Sequence, residues 1–261
     1  MGVLGDVLLI SRPEDAVTRR LEMALTARGH SATWLDGPEA ARLFTIRVTA
    51  AGDQVVPDLP MFVRPVPWWD GDTEAEPDAR FLRNECFATF WSAAALCGRP
   101  VINRPTPEGP VYRLTAGSLR SHVAGRGEIH ASGPEQIAED DDDVGAFWGE
   151  NAEYRVGALA TLPADVPVRA RRVDVGAGYE IVTVVGGKAF PATTDARSAV
   201  HDLAARSIQL ARQFGVQFAT VTWAVTDDMA EAVRLNPTPY ESELRYRWAD
   251  VLDALCRDLL A

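Results

Sequence analysis

The stretch YEIVTVVGGKAFPA, Tyr179 to Ala192, sets two apolar-rich runs around Gly186-Gly187, the pattern of an antiparallel hairpin. A second hairpin follows: Phe218 to Val225 and Ala232 to Leu235 flank Thr226-Asp227-Asp228. Its second run ends as VRLNPTP, Val233 to Pro239, and Asn236-Pro237 initiates turns strongly, so the strand should stop there. Between the hairpins, Val200, Leu203, Ala204, Ile208 and Ala211 fall at helical spacing over Val200 to Phe214. Arg169 to Arg172 lies in a further run, Val168 to Val175. A last helix, roughly Leu244 to Leu260, follows. The back of the chain therefore reads as an antiparallel sheet with helices.

The front reads differently. Val7-Leu8-Leu9-Ile10 is a short apolar run of the buried-strand type. Pro13, Glu14 and Asp15 mark a helix start, and Val17, Leu21 and Leu25 give that helix one apolar face. Gly29 stands where a C-cap belongs, and Ala32 to Leu35 begins a second strand. This is a βαβ unit heading a parallel sheet. Residues 37–62 predict another helix and two strands, Leu43 to Val48 and Leu59 to Val63. Phe81 to Leu96 predicts a helix burying Phe81, Phe87, Phe90, Trp91 and Ala94, and Pro100 to Asn103 a strand. Tyr112 to Val123 reads as a helix, whereas Asp140 to Asp143 is four acids suited to a solvated loop. The expected organisation is an α/β unit at 1–108, a short middle segment at 109–164 and an α+β unit at 165–261.

Composition excludes several function classes. Across 261 residues the formal net charge is −11, against a phosphate-tracking nucleic-acid binder. No apolar run has the length of a membrane span, and no basic segment precedes the first strand as in a secretory signal. Three cysteines without a C-x-x-C pair fit a reducing cytoplasm and suggest no zinc site. Cys86 and Cys97 read as buried small hydrophobes. His30, His122, His130 and His201 have no local nucleophile partner. Of the 26 basic residues, Lys188 is the only lysine.

Four segments carry a resemblance. Phe62-Val63-Arg64-Pro65 with Trp68-Trp69 and the acidic helix after Asp78 is one; Pro100 to Pro105 is another. The Tyr179–Ala192 hairpin and the VRLNPTP strand end complete the set. Their order resembles the ATP-grasp superfamily, above all its peptide-modifying branch of graspetide maturases and ribosomal-protein glutamate ligase relatives. The resemblance implies carboxylate activation by ATP, followed by amide or ester formation, with magnesium on hard oxygens and lysines on the phosphates. It implies an N-terminal domain of the pre-ATP-grasp type, a lid-like middle and a C-terminal ATP-grasp domain. A dimer, a peptide or small-molecule substrate and a partner biosynthetic enzyme are the implied associations.

The same resemblance puts departures at named positions. The metal-ligating glutamate of the strand end corresponds to Arg234, leaving Asn236, and the preceding metal carboxylate corresponds to Thr222. Carboxylate to guanidinium is a two-unit charge change, and each unit pair at ~4 Å is worth roughly 4 kcal/mol at an effective dielectric near 20. The ordinary magnesium site is therefore not expected. Arg113 stands for the first nucleotide lysine, nothing basic stands for the second in Phe147-Trp148-Gly149, and the hinge maps to Val168 to Val173. The cofactor-binding set so implied is Arg113, Arg171, Arg172, Lys188 and Asn236. The candidates for chemistry are Arg234, Asn236 and Glu180. Arg64, Trp68, Trp69, Arg83 and Glu85 would face the substrate.

Two readings stay open for each group. Arg234 and Asn236, with Arg113, Arg171 and Arg172, form either an anion clamp replacing magnesium or plain surface and turn residues. Trp68 and Trp69 line a peptide groove or plug a core. The chain is either a peptide- or amino-acid-modifying enzyme with a remodelled or lost ATP site, or a non-catalytic relative that binds a peptide or partner enzyme.

Overall fold

A computed structural model describes residues 4–50, 52–64, 77–105, 114–115, 144–148, 153–156, 169–172, 178–193, 201–227 and 230–261. The front half is a four-stranded parallel sheet. Strands β1 (Val7–Ile10), β2 (Ala32–Leu35), β5 (Met61–Val63) and β6 (Val101–Ile102) lie in the order β2-β1-β5-β6. Helix α1 (Ala16–Thr26) crosses from β1 to β2, with Asp15 as its N-cap accepting the Thr18 amide. Val17, Leu21 and Leu25 are buried as their spacing predicts, and Gly29 takes φ +83 beyond the helix end.

Between β2 and β5 lie α2 (Gly37–Leu43) and a hairpin, β3 (Thr45–Thr49) and β4 (Gly52–Val56). The sequence predicts only one strand there. Val55 alone is buried on β4, so the apolar alternation that marks a strand is absent. Helix α3 (Pro77–Leu96) leads to β6. Phe90 and Ala94 are buried and Phe87 stacks on Trp91 at 5.1 Å, but Phe81 is 67% exposed, against expectation.

Alternate residues of the parallel sheet serve two cores. Leu8, Ile10, Met61, Val63 and Val101 pack with Phe90, Ala93 and Ala94 of α3. Val7, Leu9, Phe62 and Ile102 pack with α1 and with the last helix of the chain, α6 (Trp248–Leu259). That helix also touches Val185 and Phe218 of the back sheet, so one core spans both halves of the chain.

The back half is an antiparallel sheet of β11 (Gly178–Val185), β12 (Lys188–Pro191), β13 (Phe218–Val225), β14 (Ala230–Asn236) and β7 (Leu114–Thr115), ordered β12-β11-β13-β14-β7. Both predicted hairpins are present. Leu114 and Thr115 pair with β14 instead of continuing a helix, because a strand end with an open ladder offers them hydrogen bonds. Helix α4 (Leu203–Gln213) packs Leu203 and Leu210 on Val182, Ala219, Val221, Trp223 and Leu235. The expected last helix is α6, and a short helix, α5 (Glu241–Leu244), precedes it. A separate sheet of β8 (Val144–Trp148), β9 (Glu153–Val156) and β10 (Arg169–Arg172) has the order β10-β8-β9. The Asp140–Asp143 run lies outside the described residues.

Candidate functional site

The pleat of β13 divides its residues between two faces. Ala219, Val221 and Trp223 meet α4, while Thr220 and Thr222 lie on the other face opposite Asn236 and Arg234 of β14. Thr183 of β11 pairs with Thr220 and joins them. Thr183, Thr220, Thr222, Arg234 and Asn236 are all buried, so the second face is polar yet withdrawn from water. Burial of this kind is tolerated only where the groups find partners.

The partner that organises them is Glu243 of α5. Its Oε2 accepts from Asn236 Nδ2 at 2.8 Å and from the Tyr240 amide at 2.7 Å, and its Oε1 lies 3.3 Å from Arg234 Nη1. The Arg234 guanidinium also lies 5.7 Å from the centre of the Tyr240 ring. Asn236 Oδ1 accepts from the Thr238 amide and hydroxyl, both at 3.2 Å, as an Asx turn does. Burial pulls the Arg234 guanidinium below its usual basicity, and Glu243 opposes that.

A second arginine closes the cluster from the front half. Arg64 follows β5 at the carboxyl edge of the parallel sheet, where the connections of β1 and β5 leave in opposite directions; in open α/β sheets such a switch point forms a crevice. Here the chain itself occupies it. Arg64 Nε is 3.0 Å from Asp15 Oδ2, and Nη2 donates to the Pro239 carbonyl at 2.9 Å. Burial lowers the basicity of Arg64 also, against the opposing charges of Asp15 and Glu243. Two buried guanidiniums thus face two carboxylates.

Asn103, just past β6, fixes the same loop. Its Nδ2 donates to the carbonyls of Phe218 and Pro237 at 2.8 and 2.9 Å. Its Oδ1 accepts from the amides of Gln217 and Phe218 at 3.0 and 2.8 Å. All four bonds cross from the parallel to the antiparallel half.

Of the sequence-derived candidates, the structure brings together Arg64, Arg234 and Asn236. Thr222 and Arg234, expected as replacements of two metal ligands, are cross-strand partners. Glu180 is opposite Trp223 and so on the α4 face, away from Arg234; its Oε2 accepts from Thr193 Oγ1 at 2.6 Å. Lys188 is exposed at the hairpin turn and pairs with Val185, whereas Arg234 is level with Ile181. Those four residues of strand amount to roughly 14 Å at ~3.4 Å each. Arg171 and Arg172 are successive positions of β10, paired with Gly145 and Val144. Glu85 is exposed on α3, which also carries Arg83. Arg113, Trp68 and Trp69 lie outside the described residues, as does the side chain of Arg83. His30 lies 3.9 Å from Asp6, and His201 Nε2 is 3.0 Å from the Thr226 carbonyl.

Sequence reading passed over Glu243 and the second role of Asp15. A signal for Glu243 was there: a glutamate three residues after Tyr240 suits the capping position that bonds back to the preceding amide.

No family model and no curated protein sequence matches this chain. Its fold does match solved structures along almost the whole length. The ATP-grasp ligase PsnB complexed with a minimal precursor superposes with a TM-score of 0.59 at 15% identity, covering 99% of both chains. The chain has the ATP-grasp fold. The macrocyclase MdnC from Microcystis aeruginosa MRC, bound with precursor peptide MdnA, matches at TM-score 0.56 and 11% identity over 97% of this chain and 99% of its own. A Chryseobacterium gregarium RiPP-associated ATP-grasp ligase, in complex with ADP and a leader and core peptide, matches at 0.53 and 11% over 97% and 96%. Within the ATP-grasp fold the Arg234–Glu243 cluster belongs to the β13–β14 hairpin and the segment after it. No helix among the described residues is long and apolar enough to cross a membrane.

Proposed function

We propose that this chain modifies a peptide or amino acid by amide- or ester-forming, or related acyl, chemistry in a biosynthetic pathway, with a nucleotide site rebuilt without the usual magnesium. What supports the reading most is superposition over 96–99% of both chains on ligases solved with precursor or leader peptides. The fold implies a magnesium–nucleotide complex, and the described residues around Asn236 do not fit the metal. Magnesium demands near-octahedral hard oxygens. Asn236 Oδ1 and Glu243 Oε2 each already accept two hydrogen bonds, and Glu243 Oε1 faces a guanidinium. A cation entering beside Arg234 would meet like charge in a buried setting. Arg113, Arg171, Arg172 and Lys188 remain the proposed nucleotide contacts, and Arg64, Trp68, Trp69, Arg83 and Glu85 the proposed substrate contacts.

One observation favours a second reading, a non-catalytic relative that binds a peptide or a partner enzyme. The Arg234 charge is balanced within the chain by Glu243, which leaves less of it for a phosphate. Calorimetric titration with ATP, with and without magnesium, tests both. Binding that magnesium does not tighten is expected. Micromolar, magnesium-dependent ATP binding overturns the rebuilt site, and no nucleotide binding at all leaves the non-catalytic reading or an enzyme that works without ATP. A precursor-peptide gene beside this one would supply the peptide for direct titration.

A further inference from the structure

We infer that the outward face of α3 packs against the same face of a second copy of this chain, antiparallel, about a two-fold axis passing Ser92. The inward face of this helix is already occupied: Phe90, Ala93 and Ala94 are buried in the front core, and Cys97 just beyond the helix joins them. On the opposite side Glu85, Ala88, Ser92, Ala95 and Leu96 are exposed, and Phe81 extends that side at 67% exposure. With about 3.6 residues per turn these positions fall within roughly a third of the helix girth.

A solvated helix face normally carries charged residues, whereas a helix without them on any side is covered on every side. The thirteen residues from Cys86 to Gly98 include no charged residue. Leu96, 41% exposed, ends the helix on the outward side.

The charges that bracket this run select the occupant. Glu85 precedes it and Arg99 follows it, and both are exposed. Two antiparallel copies centred on Ser92 bring level the residues equally far from it in opposite directions. Ala88 then meets Leu96 of the second copy, and Glu85 meets Arg99 of the second copy. The steps are four and seven residues, which keep to one side of a helix. Small side chains beside the axis let the two helices approach, and Leu96 fills the room that Ala88 leaves. The contact is isologous, so opposite charges meet at both ends. A parallel pair would set Glu85 against its own copy. Neither charge is firmly committed within the chain: Arg99 Nε lies 3.8 Å from Asp58 in an exposed contact, and the described residues give Glu85 no ion partner. Neither ATP nor a peptide enters this pairing, and it gives Glu85 to the second chain rather than to substrate.

Sedimentation velocity of the parent chain between about 1 and about 100 µM tests this, and a two-chain species should form across that range. Ser92→Arg sets like charges on the axis and should weaken association at least about tenfold. It should keep the parent melting temperature, because Ser92 is exposed. Glu85→Arg and Arg99→Glu should each weaken association. The double variant should recover most of the loss, since it only inverts the pair. A parent chain that stays single at every concentration overturns the inference, as does association that Ser92→Arg leaves unchanged. Single charge variants without effect, or with losses that add in the double variant, overturn the antiparallel pairing. Where Ser92→Arg melts well below the parent, Ala88→Arg, one turn away on the same face, is read in its place. None of these measurements uses nucleotide or peptide, so they succeed or fail separately from the proposed function.

Discussion

Asn103 clasps both backbone groups of Phe218 with its side chain: Asn103 Nδ2 donates to the Phe218 carbonyl, and Asn103 Oδ1 accepts from the Phe218 amide, each at 2.8 Å. Asn103 adopts φ 56, a left-handed conformation that asparagine tolerates better than most residues. The junction between the halves therefore depends on one side chain whose length, dual donor–acceptor character and backbone tolerance are all in use.

Asn103→Ala should cost about 3 kcal/mol, because it strands several backbone groups and keeps a strained φ. Asn103→Gly should cost less, since glycine relieves the φ while losing the same bonds. Urea denaturation compares the two; a glycine variant less stable than the alanine variant would refute the strain argument.

Arg64→Met should lower stability by about 3–5 kcal/mol, the range for breaking a buried pair at one end. Arg64→Lys keeps the charge but not the fork that spans Asp15 and Pro239, so it should fall between Met and the parent. Arg64→Met with Asp15→Asn should be less damaging than the sum of the two single changes. Additive losses in the denaturation cycle would count against a coupled pair.

Gly186 sits at φ +57 with Asp258 Oδ2 2.5 Å from where a Cβ would be, while a Cβ on Gly187 has its nearest neighbour at 3.7 Å. Gly186→Ala should cost about 1–2 kcal/mol and Gly187→Ala much less. Burial raises the Asp258 pKa above its ordinary 3.8. The folded state thus holds this proton more tightly, and the penalty grows as pH rises from 3.8 through the raised value. Asp258→Asn should therefore gain stability over the parent at neutral pH, with the gain vanishing below about pH 3.8. A gain that is independent of pH would show that packing, not charge, is responsible.

Alkylation should find one fast thiol per folded chain. Cys97 is buried and donates to Asp58 and the Leu59 carbonyl at 3.3 Å, and burial pushes its thiol up to about 11. Cys256 is buried and shifted the same way, while Cys86 is only partly covered on α3. Brief iodoacetamide treatment at mildly alkaline pH with peptide mass spectrometry should label Cys86 first; early labelling of Cys97 would contradict this burial.

Periodic, local features were legible in the sequence. The stripe of Val17, Leu21 and Leu25 and the glycine turn at Gly186-Gly187 each encode an element within a few residues, and both elements formed. The β3–β4 hairpin did not announce itself, since only Val55 of β4 reaches the core. The candidate residues are brought together unevenly for a related reason. Arg234 and Asn236 are two apart on a strand and share a face by the pleat alone. Glu180 could be assigned to a face only through its register with Trp223, a long-range property. Glu243, Asp15 and Arg64 meet only in three dimensions, so no local pattern joins them.

The packing of α6 against Val7, Leu9, Phe62 and Ile102 has a consequence for synthesis on the ribosome. The parallel sheet emerges early, yet one of its faces, covered in part by α1, is completed only when Trp248–Leu259 has been made. Until then the nascent chain carries the remaining apolar surface, and the first half cannot complete its burial before the second arrives. Burial of the first half thereby depends on the second, and the two halves should be acquired and lost together.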